Sequence, residues 1–129
     1  LEYLNRFESY LVSCTDELIA LVDRVGHPNC QLMFDSFHAN IEETNLGDAI
    51  RRMGDKLVHV QLSENHRGTL GAGHVDFNNI LTALDEINYK GMISIEAFSS
   101  KLSAANIWRN MFDSEMQLVN DSIQYLKSI

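Results

Sequence analysis

Four times along this chain a short apolar run leads to a side-chain oxygen ligand and then to a stretch of helical period. The runs are Leu1–Leu4, Cys30–Phe34, Leu57–Leu62 and Met92–Ile95. Each has strand length and is too short for a helix. Between them, apolar residues recur at helical spacing. Leu18, Leu21, Val22 and Val25 share one face of a helix expected from about Thr15 to Val25, which Gly26 ends. A second helix is expected at Leu46–Met53, with Ile50 and Met53 inward and Gly54 at its end. Asp76 caps a third, Phe77–Asn88, whose Phe77, Ile80, Leu81, Leu84 and Ile87 form an apolar stripe. A last helix is expected over about Ala104–Lys127.

Strands that alternate with helices make parallel βαβ units, so the fold class is α/β. Two architectures remain, a doubly wound sheet and a (β/α)8 barrel. Repeat length separates them. A barrel of ~250 residues spends roughly 31 on each unit, so four units take about 125. This chain has 129 residues, the length of half a barrel in one domain. It lacks an initiator Met and starts almost inside a strand, which suggests a fragment of something longer. Four units leave two open sheet edges and an uncovered apolar interior. Self-association, or association with a missing N-terminal half, is therefore expected.

The net charge of −8 argues against a nucleic-acid face, which would be basic. No apolar run is long enough to span a membrane, and no signal peptide is visible, so a cytoplasmic location is expected. Cys14 and Cys30 fit no metal-ligand spacing and read as free buried thiols. Trp108 and the methionines read as packing residues, and His27, His66 and His74 as surface loop residues.

The chemistry sits at one end of every strand. Glu2, Asp35, Gln61 and Glu96 are separated by 33, 26 and 35 residues, about one unit each. In parallel α/β folds the carboxyl ends of the strands are where sites are built. Adjacent strands lie only ~4.8 Å apart, so four such side chains can converge. Three carboxylates and one amide carbonyl form an all-oxygen set, suited to Mg2+, Mn2+ or Co2+. Without a cation, crowded carboxylates repel and one takes up a proton. Gln61 then supplies a neutral carbonyl oxygen, and Glu64–Arg67 reads as a substrate-facing loop. The Gly-rich stretch Gly68–Gly73 matches no phosphate-binding pattern.

Four segments carry a further signal: LEYLNRFE at 1–8, FDSFH at 34–38, SENHRG with GAGHVDF at 63–77, and YKGMISIEAF at 89–98. Together they resemble the sugar isomerase/epimerase superfamily with the xylose isomerase-like TIM barrel, most of all its ketose 3-epimerases (D-tagatose and D-psicose 3-epimerase). The resemblance covers the chain to about residue 100. It implies strands 5 to 8 of a barrel, and one divalent metal ion held by Glu2, Asp35, Gln61 and Glu96. It implies that Glu2 and Glu96 are also the acid/base pair at C3 of a keto-sugar, working through an enediolate. It implies substrate contacts from Glu8, His38 and Arg67. Gln61 departs from the histidine of the epimerases. The similar hydroxypyruvate isomerases carry Gln there, but do not usually show the Glu-Asn-x-Arg pattern of Glu64–Arg67. Three other readings stand beside an epimerase: a hydroxypyruvate isomerase-like enzyme, an endonuclease IV-like phosphodiesterase, for which the acidic balance is a poor match, and a non-catalytic metal- or sugar-binding module.

Overall fold

A computed structural model describes all of residues 1–129. Its elements are α1 (Thr15–Val25), β1 (Leu32–Asp35), α2 (Ser36–Glu42), α3 (Leu46–Met53), β2 (Leu57–Leu62), α4 (Phe77–Glu86), β3 (Met92–Ile95) and α5 (Glu115–Ser128). The helix starts have local causes. Asn45 accepts a hydrogen bond from the Asp48 N–H, Asp76 from Asn79 and Ser114 from Gln117, each satisfying an amide that has no partner within the helix. α1 ends where Gly26 turns left-handed at φ 60° and returns its N–H to the Val22 carbonyl.

The three strands form one parallel sheet in the order β1-β2-β3. Phe34 pairs with Val60 and Val60 with Ile93; Asp35 pairs with Gln61 and Gln61 with Ser94. Side chains alternate across a strand, so these two rows lie on opposite faces. Phe34 and Val60 are buried in the core with Leu18, Ile50, Phe77 and Ile80. That core draws on α1, α3 and α4, which cover one face of the sheet. Asp35, Gln61 and Ser94 lie on the other face, with His59 on the same side of β2.

Two expected elements differ. Leu1–Leu4 is not a fourth strand. Its backbone pairs beside β1 through Leu1 alone, whose amino group donates to Gln31 O at 2.6 Å and whose carbonyl accepts from Met33 N at 2.7 Å. Beyond it the chain turns, and the Asn5 carbonyl accepts from Glu8 and Ser9. The last helix begins at Glu115, not near Ala104. Residues 99–113 form turns instead, with Asn106 left-handed at φ 53°. Asn106, Asn110, Asp113 and Ser114 compete for backbone hydrogen bonds and favour turns and caps over helix interiors. As a result Trp108 is 93 % exposed and does not pack as expected. Cys14 and Cys30 are free but only half-buried.

Met92 and Ile93 are exposed on β3, the edge of the sheet where no further strand pairs, and Val58 of the central strand is half exposed. No helix is long and apolar enough to cross a membrane.

Candidate active site

Asp35 ends β1, and its carboxylate faces two ways. Oδ1 caps α2 by accepting from the Phe37 N–H at 2.8 Å, and Oδ2 accepts from Arg67 Nη1 at 2.9 Å. The next residue ties two strand ends together. Ser36 Oγ donates to the Ser63 carbonyl and accepts from the Ser63 N–H, both at 2.7 Å. α2 was not foreseen, and it matters, because its first turn carries His38 back over Asp35. His38 Nε2 lies 3.7 Å from Asp35 Oδ2 and 4.0 Å from Glu2 Oε1. One ligand atom each of Glu2, Asp35 and His38 falls within 4.8 Å of the others.

Both ring nitrogens of His38 face donors. Its Nδ1 lies 3.1 Å from the backbone N–H of Asn5 and 2.9 Å from the Asn5 side-chain amide, and its Nε2 lies 3.3 Å from Arg67 Nη2. A backbone amide and a guanidinium only donate, and a neutral imidazole has one acceptor nitrogen, so the ring can accept from only one of these sides. Burial and the nearby Arg67 charge hold the His38 pKa below its ordinary value, so the ring is neutral at pH 7. Asn5, 1 % exposed, also donates to Glu8 Oε1 at 2.9 Å.

Glu96 follows β3 and extends the ladder, its N–H donating to the Leu62 carbonyl at 2.9 Å. Its carboxylate accepts from Arg67 Nη1. Arg67 thus stands at the centre of the group, donating also to Ser63 Oγ at 3.1 Å. Its guanidinium is stacked 3.8 Å from the centroid of the Phe37 ring and 4.7 Å from that of Phe98. The two rings follow Asp35 and Glu96 at the same distance, in Asp35-Ser36-Phe37 and Glu96-Ala97-Phe98. That acid–small–Phe repeat was the available signal for them.

Crowding shows in the titration of the carboxylates. Glu2 is pushed up to about 7, first by burial and then by the charges of Asp35 and Glu96. Glu96 is also raised by burial, against the lowering effect of Arg67. Gln61 lies opposite Asp35 in the register and on the same sheet face. Its carboxamide makes no hydrogen bond within the chain, which leaves its carbonyl free. A buried, mutually repelling oxygen set of this kind suits a hard divalent cation.

Beside Arg67 a cleft of about 460 Å³ is lined by Glu8, Phe37, Asn65, His66, Phe98 and Ile107 among others. His66 is half-buried there and accepts from the Gly68 N–H at 3.0 Å. Asn65, His66 and Arg67 of the Glu64–Arg67 stretch line this cleft, whereas Glu64 does not. It is fully buried and points into the Gly-rich segment. Asn5, Ser36 and Ser63 were likewise not singled out, since their roles lie in contacts across about 30 residues of sequence.

The profile of the xylose isomerase-like TIM barrel family matches residues 1–129. The chain belongs to that family. Its relatives include L-ribulose 3-epimerase of Methylomonas sp. (strain DH-1), 35 % identical across 98 % of this chain and 46 % of the relative. D-psicose 3-epimerase of Enterocloster bolteae is 41 % identical over 86 % of this chain and 38 % of its own length. A solved L-ribulose 3-epimerase superposes with a TM-score of 0.93, at 37 % identity over 99 % of this chain and 45 % of that one. The D-allulose 3-epimerase of Methylomonas sp. in complex with D-allulose gives 0.92 over 99 % of this chain and 46 % of that one. This family member therefore spans under half the length of these relatives, and its three-stranded sheet is part of a TIM barrel.

Proposed function

We propose that this chain is the metal-holding half of a ketose 3-epimerase, corresponding to strands 5 to 8 of the barrel. One observation carries the reading. Glu2, Asp35 and Glu96 gather at the carboxyl ends of neighbouring segments, with His38 and Arg67 among them. The similarity to L-ribulose and D-psicose 3-epimerases supports it.

Glu2, Asp35, Gln61 and Glu96 would hold one divalent cation, Mn2+, Co2+ or Mg2+. Such an ion polarises a ketose carbonyl and stabilises the charge of an enediolate. The remaining work falls to this chain's side chains. Glu2 and Glu96 lie on the outermost of the neighbouring segments, with Asp35 and Gln61 between them. One glutamate removes the C3 proton as base, and the other returns a proton to the opposite face of C3 as acid. The reaction conserves atoms and electrons, and only the configuration at C3 changes. His38 and the Arg67 guanidinium would orient sugar oxygens, and Glu8 would contact the substrate at the mouth of the cleft.

The substrate on this reading is a small keto-sugar. The exposed residues Met92 and Ile93 of the edge strand β3 support pairing with the missing half of the barrel or with a second copy. A cytoplasmic location fits sugar metabolism. Gln61 favours one second reading, a hydroxypyruvate isomerase-like enzyme, because that residue is Gln in those enzymes. Metal binding without turnover would instead identify a non-catalytic binding module.

The test has two parts. Calorimetric titration of this chain with Mn2+, beside Asp35→Ala, should show binding that the variant loses. The full-length protein with Mn2+ should epimerise D-allulose or L-ribulose, and Glu2→Gln and Glu96→Gln should abolish turnover with the fold and metal retained. Full activity in either glutamate variant would overturn the acid/base assignment, and turnover of hydroxypyruvate alone would overturn the ketose assignment.

A further inference from the structure

Glu64 is a carboxylate buried with no cationic side chain in contact. Burying a charge this way is costly unless hydrogen bonds replace the lost water. Here backbone amides do so. Oε1 accepts from the Gly71 N–H at 2.9 Å, and Oε2 from Asn65 at 3.2 Å and Val75 at 3.4 Å. The loop is built around the carboxylate: a Cβ placed on Gly73 would lie 2.2 Å from Glu64 Oε2. Leu70 is pinned separately, its N–H donating to Ser122 Oγ of α5 at 3.1 Å.

Arg67 lies inside the segment that Glu64 closes. Its N–H donates to the Glu64 carbonyl at 2.9 Å, and its own backbone is left-handed, at φ 61°. That left-handed conformation is strained for a residue with a Cβ, so surrounding contacts must hold it. Glu64 supplies contacts on both sides, through its carbonyl before Arg67 and its carboxylate after it, and the Arg67 carbonyl accepts from the Phe98 N–H at 2.8 Å. The direction of the Arg67 side chain follows from that backbone. The guanidinium then reaches Asp35, Ser63 and Glu96 between two rings.

We infer that Glu64 is a positioning residue that acts through Arg67: its carboxylate folds the Gly71–Val75 loop back and so aims the guanidinium at Asp35 and Glu96. It touches neither those carboxylates nor the cleft. A Gln at this position would keep the shape but present an amide donor to backbone donors.

The first readout is nuclear magnetic resonance of the Arg67 guanidinium nitrogens in this chain, assigned by loss of the signals in Arg67→Lys. A paired, stacked guanidinium rotates slowly and shows resolved Nη signals. Glu64→Gln, folded by circular dichroism, should collapse them to the averaged signal of a free arginine. A role confined to loop stability would leave them resolved, and that result overturns the inference. If Glu64→Gln does not fold, Gly73→Ala beside Asn65→Ala decides, because the Gly73 methyl meets both the Glu64 carboxylate and the Asn65 side chain, and Asn65→Ala removes the second alone. Resolved Arg67 signals in Gly73→Ala, or signals collapsed equally by Asn65→Ala, would overturn the inference.

The second readout rests on the ketose reading above and uses the full-length enzyme. Glu64→Gln should raise KM about tenfold, the loss expected for one misplaced charge-assisted hydrogen bond. In an Arg67→Met background it should change KM no further, whereas additive effects would overturn the coupling. Absence of ketose turnover in the parent enzyme would overturn the functional reading, and the resonance experiment would still decide the role of Glu64.

Discussion

The guanidinium of Arg67 stands between Asp35 and Glu96, with Nη1 donating to both carboxylates and lying 2.9 Å from Asp35 Oδ2. Those residues stand at the ends of the two strands that flank β2 and are separated from Arg67 by 32 and 29 positions. One cation on the loop after β2 therefore reaches the acids that follow β1 and β3. Asp35 is wholly buried at its side chain, so this is the contact that offsets its charge within the chain.

Arg67→Met tests that dependence. The methionine fills the space between Phe37 and Phe98 but leaves Asp35 buried and unpaired. Removing one partner of a buried ion pair costs about 3 kcal/mol or more. Urea unfolding of the metal-free chain should show a midpoint lowered by that amount. Adding Asp35→Asn to the variant should recover part of the loss, and an unchanged midpoint in the single variant would refute the pairing.

Glu2 predicts the sign of a pH effect. Its folded pKa of about 7 lies above the ordinary 4.5, so between those values the folded chain holds a proton that the unfolded chain has released. The stabilisation this proton provides is complete below 4.5 and is lost as pH rises through 7. Stability of the metal-free chain should fall across that window because of Glu2. Glu2→Gln should remove this part of the slope and be the more stable protein at pH 8. Comparing denaturation of the two across pH 4.5–8 isolates Glu2 from the opposite effect of His38, whose pKa is lowered.

The all-oxygen ligand set predicts metal preference. Mn2+ should raise the melting temperature of this chain, since an ion bound by the folded state alone stabilises it by mass action, and a chelator should reverse the gain. Gln61→His replaces a hard oxygen by imidazole nitrogen, which should move preference from Mg2+ toward Co2+. Competitive calorimetry of parent and variant measures the ratio. An unaltered ratio would remove Gln61 from the ligand set.

Ser36 makes a narrower prediction. Its hydroxyl both donates to and accepts from the backbone of Ser63 at 2.7 Å, in a fully buried setting. Ser36→Ala leaves a buried carbonyl and a buried N–H without partners. The expected loss is about 2 kcal/mol, read from the urea midpoint. A loss below 0.5 kcal/mol, the scale of an ordinary surface substitution, would show that the bridge is dispensable.

Much of the architecture was legible in the residues. The bounds of α1, α3, β2 and β3 are those expected from apolar patterning and terminating glycines, because a helix depends on neighbours three or four residues away and these strands are short apolar runs bounded by turn residues. α2 and the start of α5 were not legible in the same way. A seven-residue helix capped by Asp35 is too short to show a period, and α5 starts only where Ser114 caps it, after turns over 99–113 that the apolar spacing does not show.

The candidate site divides along the same line. From the sequence came the fold class, the half-barrel length and the alignment of Glu2, Asp35, Gln61 and Glu96 at strand ends, since a repeat near 31 residues and a period of two are properties of the chain alone. Tertiary structure decided where each side chain points. It turned Glu64 inward and Arg67 onto the carboxylates, placed the His38 ring between Asn5 and Arg67 and left Trp108 in solvent. Each of the first three outcomes depends on hydrogen bonds that close only when the folded backbone brings donor and acceptor together, and in the cases of Arg67 and His38 the partners lie about 30 residues apart. No local pattern encodes such a contact.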